Sequence, residues 1–296
     1  MRKSIMATAT ALAVVATGVA VAGVNLTARP ATAALSDVPA DCTVFTAAYR
    51  TDGQRLSYGY SGRKTSTEAY VNDKLGWVPS AQQQLGGGGS DTEFRSTEYV
   101  VHPTNGWLYK MIRHGKLVDG TWRITSLTAN QHASGFPATR ILAYGYPYLY
   151  RVTGSSLYRY TVSATTGALT GKVQLSGAGW NAVKTLVYER SGGTGSAAVD
   201  VLIGTKTNGE LKEWRINRAT PTQISSKILK SSGWASFNSL STGPCSAHPN
   251  GRVLLGITAT GTASAHFDAK QTDGVGTDIK GGSLGPLGWT AKAYGQ

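Results

Sequence analysis

The side chains that could carry out acid–base or nucleophilic chemistry are few in this sequence, and their spacing matches no catalytic motif. Glu98 and Glu189 are the acids expected on strands near a common axis, where a glycosidase would place its paired carboxylates. Their neighbours are Thr, Arg, Lys, Ser and Tyr, so the acid content is poor for catalysis. Gly281, Ser283 and Gly285 fit the G-x-S-x-G pattern but lack the strand-to-helix turn that such a nucleophile requires.

Metal-ligand spacing is also missing. Asp268, Asp273 and Asp278 are too widely spaced for a calcium loop. The histidines follow no ligand pattern and stand at His102, His114, His132, His248 and His266. The sequence therefore predicts no metal, no cofactor and no enzymatic activity.

A repeat organises the chain. The segment 179–188, GWNAVKTLVY, has a glycine, an aromatic residue, a few small or polar residues and a short alternating apolar run. Intervals of 44 to 55 residues separate the repeat starts, a spacing typical of four-stranded propeller blades. The starts are placed near Gly89, Gly135, Gly179, Gly233 and Gly288.

Local patterns predict strands throughout. Residues 43–50 and 55–60 alternate apolar and polar side chains around an Asp-Gly turn, which predicts a hairpin. Asn-Gly turns recur at 105, 208 and 250, and residues 77–85 are expected to form an outer strand. Thirty-seven glycines and only 15% charged residues suit short strands joined by tight turns. The predicted fold class is all-β.

The N-terminus predicts export. Arg2 and Lys3 precede a weakly apolar run over 7–24, and Ala31-Thr32-Ala33 offers a cleavage position. A signal anchor is the competing interpretation. We expect a signal peptide over 1–33, a lead over 34–42, one propeller domain over 43–296, and a secreted protein with no membrane span after signal removal.

The remaining charge is basic but scattered. Removal of Arg2, Lys3 and Arg29 lowers the formal net charge from +13 to +10. Lys and Arg fall on alternate strand positions, which predicts a solvated surface. Weak attraction to acidic envelope polymers is compatible with this charge, whereas nucleic-acid binding is not expected of an exported protein. We expect a monomer.

Cys42 and Cys245 are the only cysteines. An even count in an exported chain predicts a disulfide.

Several segments together resemble the tachylectin-2-like five-bladed propeller lectins. They are residues 86–110, 177–188, 231–237 and 248–255. The resemblance implies a five-bladed β-propeller of four-stranded antiparallel blades, closed by pairing of the N- and C-terminal strands. In this chain the last strand would come from residues 285–296, GPLGWTAKAYGQ, which is a repeat start with nothing after it.

The resemblance also implies sugar binding, with N-acetylhexosamine-containing glycans or a cell-envelope polysaccharide as the partner. The family has an Asp-Asn-Trp triplet ahead of an outer strand, and two units of this chain keep parts of it. The expected carbohydrate-binding residues are Asp73, Trp77, Asp119 and Trp122.

Two alternatives remain open at this point. Trp77 and Trp122 could instead pack between blades, as expected for Trp180, Trp234 and Trp289 at the repeat starts. The whole propeller could be a protein-interaction platform without sugar binding, and a glycosidase is the less favoured third function.

Overall fold

The computed structural model describes residues 34–289 and 291–295, so the expected signal peptide lies outside the described residues. This part of the chain is a propeller of five four-stranded antiparallel sheets, and its only helical segments are three single 3-10 turns. The innermost strands contact one another in a closed ring, in the order β20, β4, β8, β12 and β16. The predicted fold class is therefore confirmed.

Each blade lists its strands from the axis outwards. Blade one contains β20 (Ala291–Gly295), β1 (Thr43–Arg50), β2 (Arg55–Ser61) and β3 (Lys64–Glu68). Blade two contains β4 (Ala81–Gly89), β5 (Glu93–Val101), β6 (Leu108–Val118) and β7 (Thr121–Ala133). Blade three contains β8 (Thr139–Gly145), β9 (Tyr148–Thr153), β10 (Ser156–Val162) and β11 (Leu169–Ser176). Blade four contains β12 (Val187–Gly192), β13 (Val199–Thr205), β14 (Leu211–Asn217) and β15 (Ile224–Lys230). Blade five contains β16 (Phe237–Pro244), β17 (Arg252–Thr258), β18 (Thr262–Asp268) and β19 (Lys280–Pro286).

The first repeat start is corrected by this topology. The innermost strand of blade two is β4, which follows Trp77, so residues 81–89 are an inner strand and not an outer one. Gly89 ends this strand, and Glu98 lies on β5, the second strand of the blade. The run Gly86–Gly89 has the glycine of a repeat start but belongs to the end of an inner strand.

Ring closure rests on a short pairing between the two ends of the propeller. β20 pairs antiparallel with β1 from Ala47 to Arg50, and Gly295 is opposite Ala47. The preceding half of β1 packs directly against β16 instead. At this contact a Cβ on Gly243 would lie 2.0 Å from the carbonyl oxygen of Thr43, so only glycine allows the approach.

Five apolar clusters fill the five blade interfaces, and the smallest lies between blades one and two. That cluster has Tyr49, Leu75, Val100, Met111 and Ala293 as its buried members. The aromatic residues at the other four blade starts are buried in the larger clusters, as expected for packing residues. They are Phe136, Trp180, Trp234 and Trp289.

The predicted disulfide is confirmed. Cys42 ends the segment before β1, Cys245 follows β16, and the two are bonded across a sequence separation of 203 residues. The bond joins the start of blade one to blade five. No helix within the described residues is long and apolar enough to span a bilayer.

Removal of this bond is expected to destabilise the protein. A Cys42→Ala/Cys245→Ala variant should lose roughly 2–5 kcal/mol of unfolding free energy, because closure of so long a loop restricts the unfolded chain. Thermal and urea unfolding measure the loss. Reductant should destabilise the parent and leave the double variant unchanged, and equal stability of the two proteins would contradict the expectation.

His266 is expected to make stability depend on pH. It lies against Trp234 at a centroid distance of 4.9 Å. Burial, with a smaller contribution from Lys230, lowers the pKa of His266 to about 4. Between pH 6.5 and 4 the unfolded chain therefore binds a proton that the folded protein does not, and stability falls as the pH falls.

The expected loss from this histidine over that window is on the order of 2 kcal/mol. Urea unfolding at a series of pH values should give a flatter curve for His266→Gln than for the parent. His114→Gln, a change at an exposed histidine on β6, is the matched control and should keep the parent's slope. Parallel curves for the parent and His266→Gln would contradict the assignment.

Candidate functional site

The propeller has two ends, which we name by the direction of the innermost strands. The N-terminal face is the end where β4, β8, β12, β16 and β20 begin, and the C-terminal face is the end where they finish. Most residues expected to bind carbohydrate lie at or near the interface between blades one and two.

Asp73 is a buried member of that interface. Its carboxylate is 1% exposed, and Oδ1 accepts a hydrogen bond of 2.6 Å from Nε of Arg113. The Asp73 carbonyl also accepts from the backbone N–H of Arg55. Asp73 therefore holds the connection between β3 and β4 against both blades, and its carboxylate is directed into protein and not towards solvent.

Trp77 has different partners. Its ring is half-buried and packs against His102 at 4.6 Å and Tyr109 at 5.5 Å between centroids. Both partners belong to blade two, on its N-terminal side. The structure thus directs Trp77 and Asp73 to different partners.

Asp119 and Trp122 belong to the turn between β6 and β7 and the strand after it. Asp119 is exposed and adopts a positive φ of 50° in this turn. The half-buried ring of Trp122 lies 5.3 Å from Phe94 and 6.3 Å from Tyr70. Trp122 therefore supports two other aromatic rings at the C-terminal face.

Those two rings line the larger of the two axial cavities, a cleft of about 720 Å³ at the C-terminal face. The cleft runs from the axis into the interface between blades one and two. Its aromatic lining consists of Phe45, Tyr70, Phe94, Tyr144 and Tyr188. The sequence analysis did not find this site.

The cleft exists because blade one is incomplete near the axis. The described part of β20 ends at Gly295, opposite Ala47, and leaves the first half of β1 open towards the axis. Phe45 lies in this half and faces away from the buried Val44, so that 63% of its surface is exposed. An apolar residue on the polar side of an alternating strand was the sequence signal that could have indicated it.

The floor of the cleft is polar and held rigidly. Arg55 donates from Nε to Glu98 at 3.0 Å, from one terminal nitrogen to Ser57 at 2.9 Å, and from the other to Gln84 at 3.0 Å. All three side-chain nitrogens of the guanidinium thus have protein partners. Arg55, Ser57 and Gln84 present fixed polar atoms beneath the aromatic walls.

Glu98 lies behind this floor in a buried ionic network. Tyr49 donates its hydroxyl hydrogen to Glu98, and Arg113 donates to Tyr49 and to Glu98. Burial disfavours the charged carboxylate, but Arg113 and Arg55 outweigh that effect and hold the pKa of Glu98 below its ordinary value. Glu98 is consequently an ion-pair partner with no open path to a ligand.

Glu189, the other acid considered for catalysis, is also tied to an arginine. It lies on β12 and pairs with Arg252 at 3.0 Å, and Arg252 pairs with Asp268 at 2.7 Å. Burial raises the pKa of Glu189 despite this partner. No group of three or more metal-ligating side chains occurs within residues 34–289 and 291–295.

Comparisons with known proteins concern the fold alone. No protein-family model and no curated protein sequence matches the chain. A chain of the nidogen/laminin complex is 11% identical with a TM-score of 0.42, over 86% of this chain and 97% of that one. The fucose-specific lectin from Aleuria aurantia is 12% identical with a TM-score of 0.42, over 84% and 76%. The periplasmic gluconolactonase of Pseudomonas aeruginosa is 12% identical with a TM-score of 0.36, over 81% of each chain.

Arg113 is expected to be essential for stability. Arg113→Met leaves Asp73 and Glu98 buried without their shared cation, and the unfolding free energy should fall by about 3–5 kcal/mol. Urea unfolding measures the change. Arg50→Met is the matched control, because Arg50 pairs with Asp52 at the surface and its loss should cost less than about 1 kcal/mol. Equal costs for the two variants would contradict this role.

Proposed function

We propose that the protein is a secreted, non-catalytic carbohydrate-binding propeller, and that the cleft between blades one and two receives a sugar unit of an N-acetylhexosamine-containing glycan. The observation that carries the proposal is Phe45, whose ring is 63% exposed at the mouth of an aromatic cleft with a polar floor. Exposure of so large an apolar ring is unfavourable in water, and the C–H face of a sugar can cover it.

The chemistry of the lining supports a sugar more than a purely apolar ligand. Ser57 and Ser96 place hydroxyl groups between the rings, where they can pair with the hydroxyl or amide groups of a sugar. A pocket that combines aromatic faces with a few fixed polar atoms is typical of small-molecule sites.

The residues inferred from the family resemblance take distinct places in this proposal. Trp122 supports Phe94 and Tyr70 from behind, and the exposed Asp119 lies in the turn just before it. Trp77, with His102 and Tyr109, offers a second, shallower aromatic surface for a longer glycan. Asp73 contributes through Arg113, which fixes Glu98 beneath the floor.

Affinity for one sugar unit is expected to be weak. An aromatic contact and a few hydrogen bonds, each worth roughly 1–3 kcal/mol, correspond to dissociation constants from about millimolar to tens of micromolar. Useful adhesion would then come from several contacts along a polymer.

Phe45→Ala is expected to abolish most of the adhesion to glycans. Retention on chitin, peptidoglycan or a glycan panel at low salt should fall by about tenfold or more, because the variant loses the ring that covers the sugar face. The unfolding free energy should change little, since most of the ring is already in water. Retention and urea unfolding measured side by side separate the two effects.

Ile228→Ala is the matched control, because it shortens a side chain that is 52% exposed on β15, the outer strand of blade four. This variant should bind as the parent does. Failure of chitin, peptidoglycan and the panel to retain the folded parent would contradict carbohydrate binding and favour the interaction-platform function.

A further inference from the structure

A second cavity of about 290 Å³ opens on the axis at the N-terminal face. The first residues of the innermost strands and the connections leading into them form its wall. Polar side chains at this wall include Gln82, Thr185, Asn238 and Ser239, together with the cations Arg140 and Lys184. No Asp or Glu is among the described residues that line it.

The two cations are held by backbone carbonyls alone. Arg140 donates to the carbonyls of Trp180 at 2.8 Å and Val183 at 3.1 Å, and Lys184 donates from Nζ to Ala235 at 2.5 Å. Neither forms an ion pair with a carboxylate in the described part of the chain. Partial burial lowers the pKa of Arg140, and no neighbouring acid offsets this effect.

These contacts fix both cations in place and leave their charges unbalanced. Carbonyl groups neutralise an ammonium or guanidinium only in part, and both side chains keep donors that the carbonyls do not use. An anion at this rim would gain charge-assisted hydrogen bonds from groups that are already positioned.

Gln82 adds an acceptor of hydrogen bonds inside the cavity. The side chain is 3% exposed, and Nε2 donates to the carbonyl of Ala47 at 2.7 Å. Because that carbonyl can only accept, the amide orientation is set, and the remaining atom is the acceptor Oε1. Oε1 has no hydrogen-bond partner among the described residues, which is costly for a buried polar atom.

We propose that this cavity binds a small anion that also carries a hydroxyl donor, such as a hydroxycarboxylate of the size of one sugar acid. The anionic group would be bound by Arg140 and Lys184, and a hydroxyl group would donate to Oε1 of Gln82. The site is separate from the C-terminal cleft and does not depend on glycan binding there.

Isothermal titration calorimetry of the protein tests the proposal with sodium D-glucuronate, sodium sulfate and D-glucose as probes. Glucuronate should bind, sulfate should bind more weakly, and glucose should not bind. Lys184→Met and Arg140→Met should each weaken glucuronate by about tenfold or more, the effect expected for loss of a charge-assisted hydrogen bond. Gln82→Leu should weaken glucuronate and leave sulfate unchanged.

Lys227→Met is the matched control, because Lys227 also donates from Nζ to a backbone carbonyl, that of Asp273 at 3.1 Å, but away from this cavity. It should bind glucuronate as the parent does. Equal weakening by Lys184→Met and Lys227→Met would show general charge attraction and overturn the site. Equal affinity for sulfate and glucuronate would overturn the ligand class, and loss of glucuronate binding in Phe45→Ala would move the anion to the cleft and overturn the location.

Discussion

The structure depends on the closure of the ring by backbone pairing between β1 and β20. Each blade of a propeller contacts only its neighbours, so the circle of apolar interfaces is complete only when the last strand returns to the first blade. In the described residues this pairing extends from Ala47 to Arg50 and no further. The same short pairing that closes the ring also leaves the first half of β1 uncovered, and the C-terminal cleft is the result.

Arginine–carboxylate pairs reinforce several of the interfaces between blades. Arg113 pairs with Asp73 and Glu98 between blades one and two, and Arg252 pairs with Glu189 and Asp268 between blades four and five. Buried pairs of this kind contribute little net stability, but removal of one partner leaves an uncompensated charge. They therefore fix the position of each blade relative to the next, which is what a binding site built from two blades requires.

The regular elements were predictable because they follow local rules. The strand at 43–50 and the hairpin after it follow from alternation and an Asp-Gly turn, and the burial of Trp180, Trp234 and Trp289 follows from their place in the repeat. The start at Gly89 was wrong, because four glycines in β4 imitate the glycine of a repeat start. The pattern at Gly76-Trp77 was the better match.

The site was less predictable, because it depends on contacts between distant segments. No local pattern shows that Asp73 meets Arg113, a residue 40 positions away, or that their pairing buries the carboxylate. The exposure of Phe45 likewise depends on where β20 stops. Residue types and spacing identified aromatic and acidic residues near the correct interface, while tertiary packing decided which of them face solvent.

The disulfide also determines how the molecule would respond to mechanical tension. A force applied between the two ends of the chain passes from Cys42 directly to Cys245, so the residues between them lie outside the stretched path. Only the segment after Cys245, which contains β17 to β20, can be drawn out by such a force. Blades two, three and four, together with β1 to β3, are then covalently protected from extension, and a protein held on a surface in a moving fluid would keep most of its fold under load.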